Sequence, residues 1–434
     1  MNETKQKNWV AIVTMWFIFA MISFVTNMAA PFGTIWQGQY SWSGMMGNLM
    51  NFLAYLVMGV PAGRMLSRIG YKKTALIALS TGFAGMVVQW LSSLVGATVA
   101  LGNLMNLNFL IYLLGAFICG FCVCMLNTVV NPLLNTLGGG GNKGNQMIQI
   151  GGTLNSLTGA ITPLLVGVLV GTVTAETTMS NVAPLLFIAM GVFLLAFVII
   201  SMVKIPEAKH SGIHQMFEHS AWDFRHTVLG IFAIFFYVGL EVGIPGEMML
   251  YFADETEAGA CVMNGVAVGG AIAAVYWLLM MVGRAVSSAI SGKVSTRVQL
   301  AFVVSLAMLL IIVAILLPKT ITMSIPAYTV TSGFNMVPDV PVKMLFLVLC
   351  GLCTSLMWGA IFNLSVEGIG KYTEQASGLF MMMVVGGGIM PLLQNLLAKA
   401  VGYMNSYWLI VVMLAYILYY AIIGSKNVNK NIEV

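Results

Sequence analysis

The sequence predicts an all-α membrane protein whose chain crosses the bilayer twelve times. Composition is the first reason: 59% of the 434 residues are apolar and only 8% are charged, against about 25% charged residues in an ordinary soluble domain. The second reason is that the apolar residues fall into long runs, each close to the roughly 20 residues that a transmembrane helix needs. These features exclude a soluble enzyme and leave no room for a sizeable soluble domain.

The apolar runs are separated by polar residues or by Gly and Pro, and they define the predicted helices in order. The first run begins close to the N-terminus, but it is longer than the apolar core of a signal peptide, so we expect a retained helix. The predicted spans are 9–31, 44–66, 73–95, 107–136, 147–172, 182–203, 226–252, 266–291, 298–317, 343–366, 375–400 and 405–424.

The longest polar stretch lies between spans six and seven and divides the chain into parts of near-equal length. We therefore predict an N-terminal six-helix half at 1–204, a cytoplasmic linker at 205–225 and a C-terminal six-helix half at 226–434.

Three short patterns recur in the same order in both halves, which indicates that one six-helix unit is used twice. A parallel repeat of this kind is the architecture of major facilitator transporters, in which two pseudo-symmetric halves enclose a substrate site near the middle of the membrane. The paired patterns are Asn27-x-x-x-Pro31 with Glu241-x-x-x-Pro245, Gly63-Arg64 with Gly283-Arg284, and Cys119-Gly120-Phe121-Cys122 with Cys350-Gly351-Leu352-Cys353.

The distribution of basic residues predicts the orientation, because cytoplasmic loops of membrane proteins carry an excess of Lys and Arg. With both termini in the cytoplasm, only three of the 19 Lys and Arg residues fall on the outer side, namely Lys319, Lys343 and Lys399. We therefore expect a multi-pass protein of the cytoplasmic membrane with both termini inside the cell.

Neutral amides within the spans mark the expected ligand site, since a polar side chain in hydrocarbon usually faces a cavity or another helix. Asn127 and Asn131 are four residues apart and therefore share one face of span four. Amides donate and accept hydrogen bonds as hydroxyl groups do, and aromatic faces cover the apolar C–H side of a sugar. The alternative is that these amides only tie helices together. The candidate substrate-binding residues are Asn27, Asn127, Asn131, Asn155, Gln394, Trp358 and Tyr276.

Glu241 is the sharpest single feature, because it lies about midway along span seven. A charged carboxylate at that depth is costly, so we expect it to be protonated or to pair with a cation. The repeat places Glu241 at the position equivalent to Asn27, and we assign it an ion-coupling or ligand-binding role. The alternative is a structural glutamate that is hydrogen-bonded to neighbouring helices.

The segment 63–73 resembles the loop between helices two and three of the major facilitator superfamily, Gly-x-x-x-Asp-Arg-x-Gly-Arg-Lys. Ser67 stands where the family has Asp, which weakens the charge clamp of that motif. The resemblance implies gating or structural roles for residues of this segment. We extend these roles to Arg284 and Pro245 of the second half. Pro245 is also expected to break span seven. The residues are Gly63, Arg64, Arg68, Gly70, Arg284 and Pro245.

More narrowly, four segments are similar to the fucose–galactose–proton symporter family, namely 131–138, 155–159, 237–242 and 386–391. The last of these resembles the family's break in span eleven, so the resemblance implies a break there. The resemblance implies a sugar carrier. However, Asn27 and Asn127 stand where proton-coupled members carry carboxylates, and Gly152 stands where the span-five motif usually has Gln. The resemblance therefore leaves the coupling mechanism open.

These observations predict a secondary transporter of neutral monosaccharides, of the fucose, glucose or galactose type, that works by alternating access and is coupled to a proton or sodium ion. Two alternatives remain, an uncoupled sugar facilitator and an exporter of other small molecules. No enzyme activity, cofactor or metal site is expected, since neither a nucleophile–base pair nor a P-loop occurs. The net charge of +5 forms no basic patch with interleaved aromatics, so no nucleic-acid partner is expected. We expect a monomer in contact with the lipid bilayer.

Overall fold

The computed structural model describes residues 9–40, 42–95, 100–101, 105–138, 141–170, 178–206, 219–254, 257, 265–290, 294–329, 333–429 and 431–432. Most of the predicted linker, residues 207–218, lies outside this part of the chain, as does the side chain of Pro31.

The described chain is almost entirely helical, which confirms the predicted fold class. The α-helices are α1 (Trp9–Asn27), α2 (Ala29–Gln39), α3 (Met46–Leu94), α4 (Leu107–Leu137), α5 (Gly141–Val170), α6 (Ala183–Met202), α7 (Arg225–Ala253), α8 (Gly265–Ile290), α9 (Thr296–Leu316), α10 (Lys343–Thr354), α11 (Met357–Ser365), α12 (Thr373–Met382), α13 (Gly386–Val401) and α14 (Tyr403–Tyr419). Short 3₁₀ turns cover Ala221–Asp223, Gly370–Tyr372 and Met383–Val385, and a π turn covers Tyr420–Gly424.

Within the described residues, eleven helical segments are long and apolar enough to cross a membrane. The predicted fifth span overlaps α5, whose 30 residues also exceed the length that a bilayer requires. Large apolar side chains cover the outer surface of the bundle, among them Leu195, Phe302 and Val412. Such a surface suits hydrocarbon, whereas the outer face of a water-soluble helix is polar.

Predicted spans two and three are joined into the single long helix α3 by a sharp turn at Gly70. The backbone of Gly70 has φ 83° and ψ 176°, a region that essentially only glycine occupies. Just beyond the turn, Lys72 Nζ donates to the carbonyls of Ser201 (2.7 Å) and Val203 (3.0 Å). A cation is favourable there because the last carbonyls of α6 have no helical partner.

Several spans are interrupted at places that differ from the prediction. Span one divides at Met28 and continues to Gln39, and span ten divides at Ser355 and Leu356. In span eleven the 3₁₀ turn lies before the three glycines rather than at them. The predicted break of span seven is wrong, because α7 is one helix that contains Pro245.

Two antiparallel hairpins lie between helices. β1 (Ala100–Leu101) pairs with β2 (Met105–Asn106), and β3 (Thr322–Thr329) pairs with β4 (Gly333–Pro341). The second hairpin was not predicted from the sequence. It is anchored at its base, where Val340 is fully buried and Val337 packs against the apolar core.

The helices form two groups, the N-terminal helices α1–α6 and the C-terminal helices α7–α14. Contacts between the groups run along α3 with α12 and α13, and along α5 with α8. At one end of the bundle, which we call the basic end, lie Arg68, Lys72, Arg225 and Arg297. At this end the segment that precedes α7 is held to α12 by a hydrogen bond from the backbone N–H of Ala221 to Gln375 Oε1 (2.9 Å). We call the opposite end the distal end.

Candidate functional site

A cavity of about 160 Å³ lies between the N-terminal and C-terminal helices. Its polar lining residues are Ser23, Thr26, Asn27, Tyr55, Asn127, Asn131, Gln149, Asn155, Glu241, Arg284 and Ser355, and its aromatic lining residues include Phe19, Phe52, Trp277 and Trp358.

Four of the predicted asparagines line this cavity together, and each has its amide N–H engaged by the protein. Asn127 Nδ2 donates to the Tyr55 hydroxyl (2.9 Å), and Asn131 Nδ2 donates to the carbonyl of Asn127 (2.9 Å). Asn155 Nδ2 donates to the carbonyl of Phe19 (3.0 Å), and Asn27 Nδ2 donates to the carbonyl of Ser23 (2.9 Å). These bonds fix the side chains on α1, α4 and α5, and they leave each amide able to bind a further partner.

The two charged residues of the cavity form an ion pair. Glu241 Oε1 on α7 lies 3.6 Å from Arg284 Nη2 on α8, and the side chains are only 14% and 11% exposed. Arg284 also donates from Nη1 to the carbonyl of Gly152 and from Nε to the carbonyl of Ser355 (3.4 Å). The guanidinium therefore neutralises Glu241 and connects the C-terminal helices to α5.

Arg284 was expected to have a gating or structural role, and its pairing with Glu241 was not predicted. The signal was available, because an arginine well inside a span needs a partner. Gly152 leaves space for this contact, since a Cβ atom there would lie 3.1 Å from Arg284 Nη1 and would crowd it. The glycine that departs from the family motif thus makes room for the guanidinium.

Backbone carbonyls at the two repeat-related positions lack a helical donor. A proline has no N–H, so the carbonyl four residues before it loses its usual bond. Pro31 removes the donor for the carbonyl of Asn27, and Pro245 removes the donor for the carbonyl of Glu241. Asn27 and Glu241 are both residues of the cavity.

Trp358 lines the cavity as predicted, whereas the structure brings neither Gln394 nor Tyr276 to it. Gln394 is buried between α7 and α14, where Nε2 lies 3.5 Å from Ser406 Oγ. Tyr276 is buried and shares a hydrogen bond with Thr354 Oγ1 (3.0 Å). The neighbouring Trp277 faces the cavity in place of Tyr276.

Three further residues that line the cavity were not predicted, namely Gln149, Ser23 and Phe52. Gln149 lies one turn before Gly152 on α5, and a Cβ atom at Gly359 would lie 3.1 Å from its Nε2. Gln149 is six residues before the predicted Asn155, about 120° away around α5, so helical periodicity did not indicate it. We find no sequence signal that singles out Ser23 or Phe52.

The predicted gating residues of α3 lie toward the basic end, whereas Pro245 lies toward the distal end of α7. Gly63 on α3 faces Gly378 on α12, and a Cβ atom at Gly63 would lie 3.9 Å from the Gly378 Cα. Arg64 and Arg68 are exposed. Gly70 forms the turn of α3, and Pro245 lies within α7.

Residues 14–384 match the family model described as Major Facilitator Superfamily. The chain belongs to the major facilitator superfamily. This assignment agrees with the twelve-span pattern and with a polar cavity between two groups of helices.

Curated relatives within the superfamily extend over nearly the whole chain. A glucose/galactose transporter of Brucella abortus biovar 1 (strain 9-941) is 27% identical, covering 98% of this chain and 97% of the relative. A putative glucose/galactose transporter of Helicobacter pylori (strain J99) is 25% identical, covering 98% of both. The L-fucose-proton symporter of Escherichia coli (strain K12) is 20% identical, covering 90% of this chain and 86% of the symporter. These relatives confirm the narrower resemblance, and all of them are named as transporters.

The crystal structure of the E. coli fucose:proton symporter superposes with a TM-score of 0.72 at 18% identity, covering 98% of this chain and 100% of that structure. This likeness establishes the major facilitator fold for the chain.

Proposed function

We propose that this protein is a secondary transporter that moves neutral monosaccharides across the cytoplasmic membrane by alternating access. The observation that carries the proposal is the cavity between the two groups of helices, which is lined by four asparagines and two tryptophans. The names of the curated relatives, glucose/galactose transporter and L-fucose-proton symporter, support hexoses or 6-deoxyhexoses as the ligands.

The asparagines and the tryptophans of the cavity belong to different groups of helices. The four asparagines belong to α1, α4 and α5, whereas Trp277 and Trp358 belong to α8 and α11. A sugar would direct hydroxyl groups to the N-terminal helices and its apolar C–H face to the C-terminal helices. Such a ligand contacts both groups and can therefore favour one arrangement of them over another.

We assign ion coupling to Glu241, as the only carboxylate that lines this cavity among the described residues. A coupled carrier needs a group that gains and loses a proton or a cation at the moving interface. The ion pair with Arg284 is also the specific observation that favours the alternative, an uncoupled facilitator. In that case Glu241 stays paired and serves only to bind a hydroxyl group.

We further propose the arrangement that the sequence predicted, with halves at 1–204 and 226–434 joined by a linker at 205–225. The basic end would face the cytoplasm, in keeping with the excess of Lys and Arg there. The protein would act as a monomer, with a sugar and either a proton or a sodium ion as its small-molecule partners.

Purified protein in proteoliposomes tests the proposal through uptake of labelled fucose, glucose and galactose. We expect saturable uptake that competing hexoses inhibit. Accumulation under an imposed proton or sodium gradient would support coupling, and equilibration without accumulation would support the facilitator. If no sugar enters or leaves at all, the proposed substrate class is wrong, and the hypothesis of an exporter of other molecules is favoured.

The asparagines can be tested in the same vesicles. Asn127→Ala and Asn155→Ala each remove an amide from the cavity, so we expect at least about a fivefold loss of apparent affinity, in keeping with about 1 kcal/mol for one hydrogen bond. Asn405→Ala is the matched control, because Asn405 is exposed at the start of α14. Unchanged affinity in both cavity variants would show that the sugar binds elsewhere.

A further inference from the structure

The segment 386–391, Gly-Gly-Gly-Ile-Met-Pro, lies where α13 meets α3 of the other helix group. A Cβ atom at Gly387 would lie 2.9 Å from Phe52 Cε1, and a Cβ atom at Gly388 would lie 3.1 Å from the Leu49 Cα. The two glycines therefore allow a backbone approach between α3 and α13 that larger residues would prevent.

Within this contact, Asn48 Nδ2 on α3 donates a hydrogen bond of 2.9 Å to the carbonyl of Gly387. Asn48 is buried, so the bond is shielded from water. Pro391 has no N–H and cannot supply the helical donor that the Gly387 carbonyl would otherwise receive. An unpaired carbonyl in the bundle would be costly, and the asparagine of the opposite helix group satisfies it.

The bond lies just beyond one boundary of the cavity. Asn48 is one turn from the lining residue Phe52, and Gly387 is one turn from the lining residue Val384. Because α3 begins at the distal end and turns back at Gly70, Asn48 lies on the distal side of Phe52. The contact between Asn48 and Gly387 therefore separates the cavity from the distal end along α3 and α13.

We propose that the hydrogen bond from Asn48 to the Gly387 carbonyl is a latch that holds the cavity shut toward the distal end, and that it opens each time the site becomes accessible from that side. Its consequence for transport rests on the alternating-access function proposed above, whereas the latch itself does not require that function. Asn48 acts as a positioning residue, since it does not line the cavity.

Two spin labels can measure the opening without any sugar. Leu94→Cys at the end of α3 and Leu396→Cys on α13 place labels on exposed positions toward the distal end, one in each helix group. The five native cysteines of the described residues are buried, and Cys261→Ser removes the sixth. We call the population with a long label distance divided by the population with a short one the distance ratio. We expect Asn48→Leu to raise this ratio by about threefold to about twentyfold, which corresponds to the free energies of hydrogen bonds between membrane helices.

A second change separates the latch from a general packing defect. Pro391→Ala restores an N–H that can pair with the Gly387 carbonyl, so losing Asn48 no longer leaves that carbonyl without a donor. In the Pro391→Ala background, Asn48→Leu should therefore shift the distance ratio much less than in the wild-type background. Asn51→Leu is the matched control, because Asn51 is buried on the same helix but faces the side of α4.

An unchanged distance ratio in Asn48→Leu, or an equal shift in both backgrounds, would overturn the latch. If Asn48→Leu does not fold, Asn48→Ser makes the same test, because its hydroxyl is too short to reach the carbonyl. A shift that obeys this pattern in a protein that transports no sugar would retain the latch and reject the proposed substrate. Sugar transport together with an unchanged distance ratio would reject the latch and retain the proposed substrate.

Discussion

Glu241 and Arg284 set the electrostatics of the cavity, and they do so as a pair. Breaking a buried pair leaves one charge uncompensated, which is more costly than removing both charges. Any cation that binds Glu241 must therefore compete with a guanidinium that is 3.6 Å away. Arg284 has other acceptors within reach, the carbonyls of Gly152 and Ser355. It can keep these bonds when Glu241 takes up a proton.

Glu241→Gln tests this role, because glutamine keeps the size of the side chain and loses the change of charge. If Glu241 couples transport, the variant should exchange internal for external sugar but fail to concentrate sugar under a gradient. Both rates are measured in the same proteoliposomes. Glu367→Gln is the matched control: Glu367 forms an exposed pair with Arg297 at 3.4 Å, and such surface pairs contribute only about 0–1 kcal/mol.

Wild-type accumulation that persists in Glu241→Gln would contradict the coupling role and leave Glu241 as a ligand or structural residue. If Glu241→Gln loses both exchange and accumulation, the unpaired Arg284 disturbs the cavity. Glu241→Gln combined with Arg284→Gln resolves that case, since the double variant carries no uncompensated charge.

The sequence predicted which residue types would line the cavity better than it predicted which individual residues do. A buried amide is costly in hydrocarbon, so every asparagine within a span was a sound candidate. Direction is a different matter, because adjacent helical residues point about 100° apart. That rotation is why Trp277 reaches the cavity whereas the predicted Tyr276 does not. Whether the four asparagines bind a sugar stays a prediction.

At the scale of the helix, length and position followed from apolar runs, whereas interruptions did not. Proline and glycine indicated breaks in span seven and at 386–391, yet α7 is continuous and the 3₁₀ turn of span eleven covers Met383–Val385. Proline inside a membrane helix is tolerated when neighbours satisfy the freed carbonyl. Whether such neighbours exist depends on distant parts of the chain, which no local pattern reveals.

Gly70 is the position where one residue decides the path of a helix. Gly70→Ala should lower the free energy of unfolding by about 1–3 kcal/mol, because its φ of 83° is strained for any residue with a Cβ atom. Gly191→Ala is the matched control, since Gly191 lies within α6 and has open space around it. That variant should be about 0.5–1 kcal/mol more stable, as alanine favours helix. Thermal unfolding in detergent measures both, and equal stability of the two variants would contradict the strain argument.

At the scale of the whole molecule, composition and the count of apolar runs were sufficient to predict the fold class. The order of the repeated patterns pointed to the same architecture, because each repeat supplies equivalent positions to one interface. The hairpin of β3 and β4 escaped prediction. Apolar residues do alternate at Ile321, Met323 and Ile325, which is a strand signal. A two-stranded sheet, however, acquires stability only from what it packs against, which the local pattern does not reveal.

Orientation in the membrane can be measured with a reagent that does not cross the bilayer. Met336→Cys on β4 and Val428→Cys after the last helix are both exposed positions. With the basic end in the cytoplasm, Met336→Cys should react in intact cells, and Val428→Cys should react only after permeabilisation. Both variants are made in protein that carries Cys261→Ser, and that protein alone is the control, since its five described cysteines are buried. The reverse pattern would invert the proposed topology.

The anchored hairpin also bears on how this transporter could be imaged. A protein that lies mostly within a micelle offers few features by which single particles can be aligned in electron microscopy. β3 and β4 form a paired ribbon whose base is held by the buried Val340, and the space around Gly333 is open. A small rigid domain inserted beside Gly333 would extend from that ribbon as a fiducial marker without touching α3, α7 or the cavity.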